Sequence, residues 1–279
     1  STIHTFEATR GCVHDCEFCV VPSAWGRVPF QKDIAHVVDD IRQSGAKRLV
    51  FYDLNLIANR QYAKELFEAL EPLKVKWFGL ATTLIDDDMA ERMARSGCRG
   101  LLIGFESVST LHLEISGKVF NRPALYGDLI RKLQNLGILI NGTFVFGNDA
   151  DQPNIFDETL DFVLEHRLEL PRFAILTPFP GTPLFNRLDA AGRVLHRDWS
   201  LYDGQHVVFQ PQHMSTEELL AGHERVWRNV YSAKGIMRRI SKQCLRQFSM
   251  SPIIFGANIG YRFYAHHLHR FYTCTGGTI

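Results

Sequence analysis

Six short β-rich runs alternate with amphipathic helical patterns along most of this chain, and that alternation restricts its fold more than any other feature. The runs cover residues 5–9, 48–53, 76–81, 100–106, 139–146 and 172–177, each bounded by polar or Gly-containing segments. Between them stand stretches such as DIAHVVDDIRQSG, NRQYAKELFEALEP, DDDMAERMARSG, PALYGDLIRKLQNLG and IFDETLDFVLEHRL. These carry apolar residues at three- and four-residue spacing, with Gly or Pro at their ends. Repeated strand–helix units predict a parallel sheet with right-handed crossovers, an α/β fold. The periodicity leaves open whether that sheet is open or curves into a partial barrel. In both cases, loops at the carboxyl ends of the strands are where chemistry collects.

The loop after the first run, RGCVHDCEFCVVPSAWGR, holds Cys12, Cys16 and Cys19. Six cysteines in 279 residues, three of them within eight positions, point to metal or redox chemistry rather than a disulfide framework. Tetrahedral zinc takes four N/S ligands, and a second ligand pair is expected downstream. The remaining Cys98, Cys244 and Cys274 show no such pairing. Three readings stand: zinc held by three Cys plus a His such as His14, an iron–sulfur cubane with one iron not held by the protein, or incidental cysteines in a turn. The other strand ends offer Asp53 and Asn55 in FYDLN, Glu106 and Ser107 in GFES, then VFGND and TPFPGTPL. Structural roles compete at each: Asp53 as a helix N-cap, Glu106 in a rim salt bridge, Gly142 and Gly147 as turn glycines.

C-x-x-x-C-x-x-C with Phe18 before the last cysteine, on the loop after the first strand of a β/α repeat, resembles the radical S-adenosylmethionine (radical SAM) superfamily over roughly residues 5–184. The resemblance implies a partial (β/α)6 TIM-type barrel over residues 1–190, with a mostly helical C-terminal extension over 191–279. It also implies that Cys12, Cys16 and Cys19 hold a 4Fe-4S cluster whose open iron is chelated by SAM. One electron would then cleave SAM to a 5′-deoxyadenosyl radical, with flavodoxin or ferredoxin as donor. The SAM pocket it implies comprises Phe18, Asp53, Asn55, Glu106, Ser107, Thr143, Phe146, Gly147 and Thr177. The stretch Tyr52–Asn55 stands where the family often has Gly-Gly-Glu against the methionine amino group. ATRGC, FCVVPSAWGR and TPFPGTPL are most similar to members that carry an N-terminal cobalamin-binding domain and methylate or cyclise lipids, tetrapyrroles and natural products. No D-x-H-x-x-G cobalamin motif occurs here, so such a domain is expected to be cut away or lacking, its removal favoured by the abrupt start.

After about Leu188, the pattern predicts a loop, a short strand and a helix beginning at Ser215, with Glu218 completing a capping box. Asp198, Trp199, Tyr202, Asp203, His206 and His213 are candidate substrate or lower-axial contacts, and Trp25 and Arg27 could face substrate. The net charge of +1 conceals an asymmetry: from Arg225 onward there are nine Lys/Arg and no Asp or Glu. That basic, aromatic tail is either a helical cap or a surface for an anionic bilayer. RNA, the substrate of methylthiolating members, is disfavoured because no appended RNA-binding barrel is visible. No run approaches ~18 apolar residues and no signal-peptide pattern opens the chain, so a cytoplasmic setting is expected. A metal-binding module without turnover is the alternative to the enzyme.

Overall fold

The computed structural model describes residues 3–246 and 251–268. Cys274 and Arg270, the last of the nine basic residues of the tail, lie outside the described residues. Strands β1 (His4–Phe6), β2 (Thr9–Arg10), β3 (Phe30–Gln31), β4 (Arg48–Phe51), β5 (Lys76–Ala81), β6 (Cys98–Glu106), β7 (Leu139–Phe146) and β8 (Arg172–Ile175) form two sheets. Six of them make one sheet in the order β1-β4-β5-β6-β7-β8, while β2 and β3 form an antiparallel ribbon. The pairings β1–β4, β4–β5, β5–β6 and β7–β8 are parallel. The helices are α1 (Val21–Trp25), α2 (Ile34–Ser44), α3 (Arg60–Leu70), α4 (Asp87–Arg95), α5 (Thr110–Ile115), α6 (Pro123–Asn135), α7 (Ile155–Glu165), α8 (Pro183–Ala190), α9 (Thr216–Val230), α10 (Ala233–Arg246) and α11 (Ser251–His266).

Two compact units emerge: Ser1–Asp15 with Val21–Gly104 and Ala124–Asn141, and Cys16–Val20 with Phe105–Pro123 and Gly142–Ile279. This partition runs through β6 and β7, whereas the sequence places its boundary after residue 190. In the first unit, Trp77 is fully buried, stacked on Phe67 at 5.3 Å and edge-on to Phe51 at 5.7 Å. Burying an indole requires a partner for its N–H, and Nε1 donates to Ser96 Oγ at 3.1 Å. Gly97 then turns the chain from α4 into β6 at φ +98°, where a Cβ would stand 2.0 Å from the Val75 carbonyl oxygen, so no other residue fits that turn.

In the second unit, alternation along β7 sends Phe144 and Phe146 to the side occupied by α7. Phe144 stacks on Phe105 (5.7 Å), and Phe146 lies 4.9 Å from Phe156 and 6.0 Å from Phe173. Successive side chains point to opposite faces of a strand, so Thr143 and Val145, both half-buried, face the other way. Helix α9 opens on the expected capping box, Ser215 with Glu218. It packs on β8 through Trp227, whose Nε1 donates to the Phe173 carbonyl at 3.0 Å. Arg239 of α10 is completely buried and donates to the carbonyls of Leu168, Glu169 and Val230 and to Asn258 Oδ1. Every partner is neutral, and burial pushes its pKa below the usual guanidinium range.

Two expectations change. The first run splits into β1 and β2, because the amides of Ala8 and Thr9 turn to the Asp53 carboxylate and Thr9–Arg10 pairs with β3 instead. The short strand expected after residue 190 reduces to one bridge, Val194 against Phe209.

Candidate functional site

In the first unit, strand β4 ends in Tyr52, Asp53, Leu54 and Asn55. Asp53 is fully buried, and its oxygens accept the amide N–H groups of Ala8 (3.2 Å) and Thr9. Burial raises its pKa against the pull of those amides. It therefore braces the segment leading to Cys12 and is not a helix cap; Asn59 caps α3. Tyr62 reinforces the brace by donating to the Lys32 carbonyl at 2.7 Å, and burial pushes its pKa up to about 12, so it remains a donor at neutral pH. Asn55, 2% exposed, points its Nδ2 at Cys12 Sγ, 3.9 Å away. Its Oδ1 is buried without a partner. Orphaned acceptors of this kind cost free energy unless a ligand satisfies them. Arg27 pairs with Asp15, and the exposed Trp25 lies beneath Arg10, so both serve the surface of this loop.

In the second unit, Cys16 is buried, Cys19 and Phe18 are half-buried, and the Cys19 amide donates to the Cys16 carbonyl at 3.0 Å, closing a tight turn. Glu106, at the end of β6, has φ +65° and is buried in an ion pair with Lys118. A non-glycine residue in the left-handed region costs roughly 1 kcal/mol or more, and such strain concentrates at functional positions. Ser107 is buried beside it, its Oγ accepting the Ser109 amide. Gly147 (φ +102°) lies so close to Leu219 and Phe209 that a Cβ would stand 2.9 and 3.1 Å from them. Its N–H donates to Asp151 Oδ2, while Asp151 Oδ1 lies 2.8 Å from Nδ1 of the buried His112. Thr177 is buried and donates to the Ile175 carbonyl.

The Phe146 ring belongs to the aromatic core, because strand alternation gives the opposite face to Thr143, so any contact Phe146 makes with SAM is through its backbone. The loop candidates of residues 198–206 spend their polar atoms locally. Asp198 accepts from Ser200, Tyr202 donates to the His196 carbonyl, and Asp203 accepts from Gln205, His206 and the His206 ring; His213 is exposed. Lys118 and the His112–Asp151 pair escaped the sequence reading. No local pattern announces partners 12 and 39 residues apart.

The donor set fits a thiolate-ligated cluster. Three thiols on one short loop, with no second Cys pair downstream in the sequence, suit a cubane in which each thiolate meets a different iron. The orphaned Asn55 Oδ1 beside Cys12 is an acceptor suited to the ammonium of a cluster-bound amino acid.

A parallel α/β repeat whose first rim loop carries three thiols defines a cluster-dependent barrel protein. Residues 6–163 match the radical SAM superfamily, and the chain belongs to it. Its cofactors are accordingly a 4Fe-4S cluster and SAM. Residues 182–253 match a domain of unknown function, DUF4070. The chain is 36% identical over 241 residues to the bacteriochlorophyllide d C-12(1)-methyltransferase of Chlorobaculum tepidum, covering 84% of this chain and 52% of that protein. With the bacteriochlorophyllide d C-8(2)-methyltransferase of the same organism it shares 30% identity over 251 residues, 83% of this chain and 54% of the relative. It thus spans about half the length of these curated relatives. The radical SAM methyltransferase TsrM from Kitasatospora setae, solved with cobalamin and a [4Fe-4S] cluster, superposes with a TM-score of 0.64 at 20% identity, over 68% of this chain and 37% of TsrM. That likeness establishes the partial-barrel fold.

Proposed function

We propose that this chain is the catalytic barrel of a cobalamin-dependent radical SAM methyltransferase acting on a tetrapyrrole of the bacteriochlorophyllide kind, with Cys12, Cys16 and Cys19 as the cluster ligands. The observation carrying this reading is the 36% identity to the C-12(1)-methyltransferase across 84% of the chain. The cobalamin is assigned to a domain outside this sequence. When bound, the cluster supplies the electron that splits the sulfonium of SAM. The chain's own groups do the positioning. Asn55 Oδ1 accepts from the methionine ammonium, and Glu106, with Ser107 beside it, provides acceptors for the ribose hydroxyls. Gly147, held by Asp151 and packed against Leu219 and Phe209, fixes the end of β7 where the adenine would lie. Thr143, on the face of β7 away from the aromatic core, is a further candidate for contact with SAM. A small-molecule substrate and a one-electron reductant complete the system, with flavodoxin or ferredoxin the donor we propose. Anaerobic reconstitution should load about four irons per chain, and dithionite with SAM should then release 5′-deoxyadenosine. A colourless protein that retains zinc in air would refute the assignment.

Peripheral contact with an anionic membrane, on the cytoplasmic side, is the second part of the proposal. On α11, Phe255, Ile259 and Phe263 recur at four-residue spacing and are about half exposed, with Ile253 nearby. They belong to the region that has no Asp or Glu after Glu224. An apolar ladder within a basic segment suits an interface rich in acidic lipids. Among the described residues, no helix is long and apolar enough to cross a membrane. Co-sedimentation should show binding to vesicles containing phosphatidylserine and weaker binding to phosphatidylcholine alone, with Ile259→Asp/Phe263→Asp reducing both. Equal, negligible binding to the two would end this reading.

A further inference from the structure

The cysteine turn contains an acid whose role the family motif does not specify. Glu17 lies between Cys16 and Cys19, and every polar group it owns is engaged within the second unit. Its N–H donates to the Ser116 carbonyl at 3.1 Å, and its own carbonyl accepts the Leu184 N–H at 3.1 Å. Its carboxylate takes two bonds from Arg187 of α8, Nε to Oε1 at 2.5 Å and Nη2 to Oε2 at 3.1 Å. Arg187 continues through Nη1 to Asp149, on the loop after β7, and Asp149 accepts Arg193 Nη2 at 2.7 Å. Four alternating charges therefore link the cysteine turn to the β7 loop and α8. Glu17 and Arg193 are each 17% exposed and Asp149 20%, while Arg187, at 39%, bridges them from the surface. A fork-to-fork arginine–carboxylate pair fixes both distance and orientation.

Electrostatics give this arrangement its meaning. When Cys16 and Cys19 bind metal as thiolates, Glu17 adds a third negative charge within four residues. Left unpaired, that carboxylate would repel both ligands and disfavour adding an electron to a cluster held there. Arg187 cancels it, while Asp149 and Arg193 hold the guanidinium in place.

We propose that Arg187 is a positioning residue that acts on the iron–sulfur cluster through Glu17: it cancels the carboxylate carried between two ligating cysteines and so sets the charge near the metal. This rests on the assignment of Cys16 and Cys19 as ligands.

The test compares wild type, Arg187→Gln, Glu17→Gln and the double variant Glu17→Gln/Arg187→Gln, each full-length and reconstituted anaerobically. Iron retention against a chelator and the midpoint potential from an EPR-monitored titration are the readouts. Arg187→Gln should retain iron on the order of tenfold less well, as removal of outer-shell partners does at metal sites, and the cluster it keeps should be harder to reduce. Glu17→Gln keeps an acceptor for Arg187 and adds no charge, so it should load like wild type. The double variant should recover much of the retention and the potential, because neither uncancelled charge remains. If the double variant is as poor as Arg187→Gln, or if Arg187→Gln loads fully at the wild-type potential, the proposal is wrong. A wild-type protein that binds no iron would instead overturn the ligand assignment, so the two failures are distinguishable.

Discussion

Cys16→Ala should eliminate both the cluster and SAM cleavage, with no detectable 5′-deoxyadenosine where the wild-type chain releases it. The reason is stoichiometric. A cubane with three protein ligands leaves one iron for SAM; with two, a second iron is exposed and the cluster is lost or degraded. Cys98 cannot substitute, because it is fully buried in β6 with its thiol directed at the Gly100 carbonyl. Burial pushes that thiol's pKa far above the ordinary range, so it is a poor source of thiolate. Replacing Cys16, itself 8% exposed, by the smaller alanine should leave the fold intact. The measurement is iron and sulfide per chain together with deoxyadenosine by mass spectrometry. Near wild-type cleavage would remove the basis for the ligand assignment, whereas unchanged circular dichroism with zero product would support it.

The second large effect is expected at Lys118→Met. Its ammonium forms an ion pair with Glu106 Oε1, with each side chain about one-tenth exposed. Removing one partner of a buried pair leaves an uncompensated charge and costs about 3–5 kcal/mol, a sizeable share of the roughly 5–15 kcal/mol that stabilises a typical protein. Chemical denaturation of the apoprotein should register that loss as a lower midpoint. Glu106→Gln in the Lys118→Met background should restore part of it, because the buried group is then neutral; additivity of the two substitutions would mean that they do not interact. The reconstituted Lys118→Met protein should also bind SAM more weakly, since Glu106 would no longer be held in its left-handed conformation at the end of β6.

Much of this architecture was legible before any coordinates. Strands 76–81 and 139–146 coincide with the runs read from the sequence, because alternating apolar residues there face a core on one side without competition. The capping box at Ser215 and Glu218 was legible for a local reason: both hydrogen bonds lie within four residues. What escaped has a common physical cause. Arg187 and Glu17 are 170 positions apart, and nothing near either residue specifies the other. The bracing role of Asp53 was not legible, since only the folded chain brings the Ala8 and Thr9 amides to its carboxylate. The resemblance of NGTFVFG to a cofactor-contacting strand pointed to Phe146, while the packing of Phe156 and Phe173 decides where its ring goes.

Strand β7 thereby becomes a two-sided part with separable tolerances. Phe144 and Phe146 are locked into the stacked rings, so changes there would be punished as lost stability whatever the ligand. Thr143 and Val145, on the reverse side, carry no such obligation. Substitutions confined to those two positions should therefore register in SAM binding before they register in stability.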